Sequence, residues 1–85
     1  MITRADSHLA VQRARGYVAA GQDEAAKLAY FDVLRLDPTS LPALHELGAL
    51  ACASGHRSAA RTVYNHSVRY HPNDPIGRVG LANMG

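Results

Sequence analysis

Apolar residues recur three and four positions apart along the whole chain, which is the spacing that places them on one face of a helix. The pattern predicts four complete helices, over about residues 7–20, 23–37, 41–53 and 57–71, and a fifth that starts near residue 75. No stretch alternates apolar and polar residues as a half-buried strand does. The sequence therefore predicts an all-α fold of about five helices, arranged as antiparallel hairpins.

Glycine and proline mark where these helices end. Gly21 and Gly55 follow the first and third helices, and glycine is the residue that helix C-termini favour. Pro38 and Pro72 follow the second and fourth helices, and a residue that precedes proline avoids helical angles. Each pair of helices is therefore expected to have a glycine turn in its middle and a proline at its end.

Polar residues that can cap a helix N-terminus precede three of the helices. We expect Thr3 (within a Thr3–Asp6 capping box), Asp6 or Ser7 to cap the first helix. Thr39–Ser40 and Asp74 are expected to cap the third and fifth helices, and each is followed by a proline in the first turn.

The chain repeats itself with an offset of 34 residues. When Ser7–Ser40 is aligned with Leu41–Asp74, seven positions are identical. The identical pairs are Ala19/Ala53, Gly21/Gly55, Ala25/Ala59, Ala26/Ala60, Tyr30/Tyr64, Arg35/Arg69 and Pro38/Pro72. They fall on the turn, the small-residue contact between helices, the aromatic position and the closing proline. A period of 34 residues with two helices per unit resembles the tetratricopeptide repeat.

The resemblance covers nearly the whole chain, as a single domain over residues 1–85. It implies repeat one over 7–40, repeat two over 41–74, and a partial third repeat or capping helix over 75–85, stacked as an α-solenoid. The positions that match the family's structural residues are Leu44, Leu47, Gly48, Gly55, Ala60, Tyr64 and Pro72 in the second unit and Gly21, Ala26, Tyr30 and Pro38 in the first. The alternative interpretation is a generic array of helical hairpins without the family's superhelix.

In the family, the first helix of each unit lines a concave groove that holds a peptide, and the resemblance implies a matching groove here. By position, the groove set is His8, Val11, Gln12, Arg15 and Val18 from the first unit and His45, Glu46, Ala49 and Cys52 from the second. Some family members clamp a terminal carboxylate or carry an asparagine ladder in this groove. The corresponding positions hold other residue types here, so we expect neither ligand class. Simple solvation of the groove set is the alternative.

The composition restricts the class of protein. An 85-residue chain with 47% hydrophobic and 19% charged residues suits one folded domain, and its net charge of +2 is too small to indicate long-range capture of a polyanion. The single cysteine, Cys52, excludes an internal disulfide and is expected to be a small apolar filler. No apolar segment has the length of a membrane span or the pattern of a secretory signal, so we expect a cytoplasmic protein without a membrane partner.

The sequence carries no catalytic or metal-binding motif. The spacings of zinc proteases, nucleophile elbows, phosphate-binding loops and dinucleotide-binding turns are all missing. The five histidines do not pair at metal-ligating spacing; His66 and His71, for example, are five positions apart. We therefore expect no enzyme activity, no catalytic residue, no cofactor and no bound metal.

The C-terminal end of the array is expected to be poorly covered. Val63, Tyr64 and Val68 of the fourth helix would meet only Val79, Leu81 and Met84 of the last helix. Gly77 and Gly80 each cost helix stability of about 1 kcal/mol relative to alanine. Ala51 and Ser67 replace the aromatic residue and the alanine that the family usually has there. A poorly covered end has three explanations. The chain is a fragment of a longer repeat protein, it forms a homo-oligomer through this end, or two chains exchange a helical hairpin.

Three functions stay open at this point. The favoured one is a non-catalytic interaction module that binds a protein or peptide segment, or assembles a complex, including through self-association. The second is an appendage or fragment of a larger enzyme or regulator. The least favoured is nucleic-acid binding through Arg57, Arg61 and Arg69 of the basic fourth helix, since no exposed aromatic residues alternate with them.

Overall fold

A computed structural model of the chain describes residues 4–84, which form five α-helices and no strand. The helices are α1 (Arg4–Ala19), α2 (Asp23–Leu36), α3 (Leu41–Ala53), α4 (Arg57–Tyr70) and α5 (Pro75–Met84). The expected all-α fold of about five helices is therefore confirmed. The helices fall into two units, Met1–Ala43 and Leu44–Gly85, with the boundary near the start of α3.

The first helix begins earlier than expected. It starts at Arg4, so Asp6 and Ser7 lie within its first turn and are not its caps. Asp6 still suits this position, because negative charge is stabilised near the N-terminal end of a helix. Thr3, the remaining candidate for the cap of this helix, lies outside the described residues.

The two glycine turns have the geometry that glycine makes accessible. Gly21 and Gly55 have φ values of 74° and 80°, in the left-handed region that other residues rarely occupy. At the second turn, the Gly55 N–H donates to the Cys52 carbonyl at 3.1 Å and the His56 N–H donates to the Ala51 carbonyl at 2.8 Å. These paired bonds form a Schellman motif, which satisfies carbonyls that the helix end leaves open.

The proline stops and the polar caps also lie where the sequence predicts them. The residue before each closing proline has left the helical conformation: Asp37 has φ −144° and ψ 92°, and His71 has φ −133° and ψ 70°. The Ser40 hydroxyl accepts a hydrogen bond from the Ala43 N–H at 3.4 Å, which caps α3. The Asp74 carboxylate accepts from the N–H groups of Gly77 and Ile76, which caps α5.

In the first unit, α1 and α2 supply most of the buried apolar side chains. The buried apolar residues are Val11 and Ala14 of α1 and Ala26, Ala29, Tyr30 and Val33 of α2. Leu34, which the helical pattern also places on the buried stripe, is only half-buried. Val18, near the end of α1, is exposed.

In the second unit, α3 and α4 supply most of the core. Its buried apolar residues are Leu44, Leu47, Leu50, Ala51, Ala60, Val63 and Tyr64. Leu81 of α5 packs against the cluster that Ala51, Ala60 and Tyr64 form. Val79, which was also expected to lie over α4, is 54% exposed. The side chain of Met84 lies outside the described part of the chain. None of the helices described within residues 4–84 is both long and apolar enough to cross a membrane.

Candidate functional site

Tyr64 of α4 lies between two glycines that belong to different helices. A Cβ added to Gly48 of α3 would come within 2.7 Å of the ring's Cζ atom, and a Cβ added to Gly80 of α5 would come equally close, at 2.7 Å. Real Cβ atoms do not approach a ring this closely, so both positions require glycine as long as the ring stays in place. The tyrosine therefore sets the distance between α4 and the helices on either side of it.

The start of α5 is held by a second contact. His45 Nε2 of α3 lies 2.6 Å from Asp74 Oδ2, which precedes α5, and both side chains are more than four-fifths buried. Burial raises the pKa of the Asp74 carboxyl, but the hydrogen bond and charge of His45, with the N–H groups of Gly77 and Ile76, outweigh it and hold the pKa below its usual range. The carboxylate thus links α3 to α5 and caps α5 at the same time.

A cleft of about 670 Å³ opens beside Tyr64 in the second unit. The helix α3 contributes Ala49, Cys52 and Ala53 to its wall, α4 contributes Arg57 and Tyr64, and α5 contributes Gly80 and Asn83. The volume lies within the range of pockets that take small ligands or a few side chains, about 300–1,000 Å³.

The wall of this cleft is mainly apolar and carries few polar groups. The polar side-chain groups are the Cys52 thiol, the Arg57 guanidinium, the Asn83 amide and the hydroxyl of Tyr64. Burial raises the pKa of Tyr64 and the electrostatic effect of Cys52 raises it further, so the phenol stays neutral at physiological pH. No carboxylate lines the cleft among the residues that the structure describes.

The four groove positions predicted in the second unit differ in whether they line the cleft. Ala49 and Cys52 are exposed and line the cleft. His45 and Glu46 are half-buried and do not line it, and His45 is occupied with Asp74. Cys52 is therefore exposed, contrary to the expectation that it fills apolar space.

The groove positions of the first unit include one core residue. His8, Gln12, Arg15 and Val18 are exposed along α1, and the Gln12 amide lies 3.4 Å from the His8 ring. Val11 is only 3% exposed, so it offers almost no surface to a partner. Val11 lies three positions before the buried Ala14, on the side of α1 that faces the core.

Six residues of the cleft, among them Gly55 of the turn between α3 and α4, are missing from the groove set that the sequence predicts. The six are Ala53, Gly55, Arg57, Tyr64, Gly80 and Asn83. Two glycines three positions apart in the last helix were the available signal, because glycine within a helix often allows another group to approach closely. The side chains of Arg57 and Asn83 carry no such signal, since arginine and asparagine are ordinary surface residues.

A second, more polar concavity lies on the outer face of α4. It has a volume of about 380 Å³ and is lined by Thr62, Asn65, His66 and Arg69. The His66 ring stacks on Tyr70, with ring centroids 6.3 Å apart, and Tyr70 is exposed. One exposed aromatic residue therefore does accompany the arginines of this helix, which the sequence interpretation did not expect. In the described part of the chain, no three histidine, cysteine or acidic side chains lie close enough to hold a metal ion.

Comparisons with known proteins do not assign this chain to a family. No protein-family model matches the sequence, and no curated protein matches it. The resemblance to the tetratricopeptide repeat therefore rests on the period of 34 residues and on the positions of its glycines, tyrosines and prolines.

Proposed function

We propose that this chain is a non-catalytic protein–protein interaction module of the tetratricopeptide type, located in the cytoplasm, whose second unit binds a peptide segment in the cleft beside Tyr64. The observation that carries the proposal is the cleft itself, a mainly apolar concavity between α3 and α5. An apolar groove between helices is a common way to hold an extended or helical peptide. Ala49 and Cys52, which the repeat pattern places in a groove, lie on its wall.

The packing around Tyr64 favours a cleft that exists before the partner arrives. The ring contacts Gly48 and Gly80, and the hydrogen bond between His45 and Asp74 holds the start of α5. A wall whose helices are already in place loses less conformational entropy on binding. This supports a binding role for the cleft.

A matched pair of tryptophan substitutions tests the proposal. Ala49→Trp fills the cleft, whereas Ala59→Trp adds the same bulk to an exposed alanine of α4 that does not line it. Linear peptides would be selected from a random display library on the wild-type chain, and their affinities measured by fluorescence anisotropy. We expect Ala49→Trp to weaken the selected peptides by about tenfold or more and Ala59→Trp to leave them unchanged. Equal affinities for both variants would contradict the proposal. Circular dichroism would verify that both variants fold.

Self-association is a second candidate function, and the exposed face of α5 favours it. Ile76 and Val79 lie three positions apart on this helix and are 50% and 54% exposed. Apolar side chains on one face of a terminal helix are the kind of surface that a second copy covers. Light scattering over a range of concentrations tests this candidate. We expect a dimer that Ile76→Glu with Val79→Glu converts to a monomer, and a wild-type monomer at all concentrations would exclude it.

A further inference from the structure

The net charge of +2 belongs entirely to the second unit. Residues 1–43 carry five lysines and arginines against five carboxylates, whereas residues 44–85 carry four arginines against two carboxylates. The two carboxylates, Glu46 and Asp74, are half-buried, and all four arginines are exposed. The solvent-facing charge of this unit is therefore positive.

The helix α4 lacks the acidic residues that neutralise the cations of α2. In α2, Lys27 Nζ lies 3.2 Å from Glu24 Oε1, and Arg35 pairs with Asp32 in the same way, three positions along the helix. The corresponding residues of α4, 34 positions later, are Ser58, Arg61, His66 and Arg69. Both positions that hold a cation in α2 hold an arginine in α4, whereas both carboxylates are replaced. The sequence of α4 contains no aspartate or glutamate at all.

Arg61 and Arg69 lie on one exposed row of α4, together with Asn65 between them. Neither arginine forms an ion pair within residues 4–84, the part that the structure describes. Eight positions of helix separate the two, which is roughly 12 Å along its axis. Since each strand of a nucleic-acid helix carries one phosphate about every 3.4 Å, this distance matches about three to four nucleotides.

A pair of exposed aromatic rings lies beside this row. The rings of His66 and Tyr70 are nearly parallel, with 15° between their planes and 6.3 Å between their centroids. His66 and Arg69 also line the concavity of about 380 Å³ on this face, with Thr62 and Asn65. Bases stack on exposed aromatic side chains of this kind while arginines hold the phosphates. The expectation that nucleic acid is the least favoured partner relied on the lack of such a ring.

We infer that the outer face of α4 binds a single-stranded nucleic acid. Arg61 and Arg69 contact phosphates, a base stacks on the ring of Tyr70, and the Asn65 amide supplies hydrogen-bond donors beside it. The concavity on this face shares no lining residue with the cleft beside Tyr64. Binding of a nucleic acid here is therefore independent of the proposed function.

The composition of this face favours a single strand over other polyanions. A duplex keeps its bases stacked on one another, so Tyr70 would add nothing to its binding. An anionic membrane surface is bound by helices that insert large apolar side chains, and this row of α4 carries polar residues instead. Phosphate-rich ligands without bases would use the arginines and leave the aromatic pair without a role.

Returning the carboxylates of α2 to α4 tests the charge part of the inference. Ser58→Glu with His66→Asp places a carboxylate three positions before each arginine. His8→Asp with Gln12→Glu makes the same change in charge at exposed positions of α1 and is the control. Fluorescence anisotropy of a labelled single-stranded oligouridine measures binding at low salt. We expect the α4 variant to bind about tenfold more weakly than wild type, and the α1 variant within about twofold of it. Circular dichroism verifies that both variants fold.

Removal of one aromatic ring tests the stacking part. Tyr70→Ala should weaken binding of the oligouridine about tenfold, because a stacked base is lost. Phe31→Ala, which removes an exposed ring of α2, should leave it within about twofold of wild type. With two phosphate contacts, log affinity should fall against log salt concentration with a slope of about −1.4, and Arg69→Gln should reduce this slope to about −0.7.

Four results would overturn the inference. Wild type could fail to bind the oligouridine at low salt, or bind a duplex as tightly as the single strand. Tyr70→Ala could bind as well as Phe31→Ala does, which would leave only a phosphate site. Vesicles containing phosphatidylserine, or inorganic polyphosphate, could bind as tightly as the oligouridine. None of these results bears on the cleft, because peptide binding there is measured separately with Ala49→Trp.

Discussion

The ring of Tyr64 lies so close to the backbone of Gly80 that a Cβ atom at this glycine would come within 2.7 Å of the ring. The glycines of α5 therefore allow this helix to pack against α4, although each lowers its intrinsic helix stability by about 1 kcal/mol. Gly77 is used in the same way, since a Cβ there would lie 3.1 Å from the Ser67 hydroxyl oxygen. The contact between helices outweighs the local cost.

Replacing Gly80 by alanine should destabilise the protein. Alanine normally stabilises a helix, but here its methyl group has no space beside Tyr64, and overpacking of a core typically costs about 1–3 kcal/mol. Gly16→Ala in α1 is the matched control, because nothing lies within 4 Å of its added Cβ. We expect this control to gain roughly 0.5–1 kcal/mol. Urea denaturation measures the free energy of unfolding of both variants. An equal gain in stability for Gly80→Ala and Gly16→Ala would contradict the packing around Tyr64.

A double substitution separates the steric cause from other effects of Gly80→Ala. In a Tyr64→Ala background, the ring that meets the added methyl group is gone. The Tyr64→Ala change alone should cost about 3–5 kcal/mol, as loss of a buried aromatic side chain does. In that background, Gly80→Ala should become neutral or stabilising. A penalty that persists would show that the ring is not its cause.

Removing the hydroxyl of Ser67 should stabilise the protein. The residue is fully buried, at 0% exposure, and its Oγ atom has no hydrogen-bond partner. A buried polar group without a partner is costly, so Ser67→Ala should raise the free energy of unfolding by about 1 kcal/mol. Ser58→Ala, at an exposed position of the same helix, should change it by about half as much or less. A loss of stability for Ser67→Ala would mean that the hydroxyl does make a hydrogen bond.

The hydrogen-bonded pair of His45 and Asp74 should make the free energy of unfolding depend on pH in the acid range. The pKa of Asp74 is lowered in the folded state from an ordinary value of 3.8. The stabilisation that its carboxylate provides is therefore present above pH 3.8, and it is lost as the pH falls through the folded pKa. Asp74→Asn should therefore have a lower free energy of unfolding than wild type at neutral pH. The gap between the two free energies should narrow below pH 3.8.

Urea denaturation at a series of pH values measures this gap. Asp32→Asn is the control, because the Asp32–Arg35 pair is exposed and such pairs contribute about 0–1 kcal/mol. A gap for Asp74→Asn that stays constant into the acid range would refute the role of its carboxylate.

The glycines of the two turns are needed because of their backbone conformation and not because of close packing. Gly55 has φ 80°, and nothing lies within 4 Å of an added Cβ. Gly55→Ala should therefore cost about 1–2 kcal/mol through the left-handed conformation. Gly55→Asn should cost less, since asparagine tolerates this conformation better. Thermal unfolding compares the two variants, and equal losses would contradict the assignment.

The helices and their ends could be predicted from the sequence, because they depend on interactions within a few residues. The turn at Gly55, the stop at Pro72 and the cap at Asp74 all lie where their residue types indicate. The start of α1 could not be predicted in this way. Asp6 is favourable both as a cap and within a first turn, so the same residue fits two boundaries.

The cleft could be predicted only in part. The repeat pattern indicates the face of α3 that carries Ala49 and Cys52, and both line the cleft. The same pattern places Val11 in a groove, although this side chain is buried in the first unit. Position in a repeat indicates a face of the helix, whereas exposure depends on which other helix covers that face.

By itself, the sequence determined that this chain forms helical hairpins with glycine turns and proline stops, because helical periodicity and backbone preferences are local properties. The tertiary structure decided what the glycines of the last helix do and where the open surface lies. Gly48, Tyr64 and Gly80 belong to three different helices and meet only when these helices pack. The cleft and its single arginine follow from that packing, since contacts between residues distant in sequence determine which side chains stay exposed.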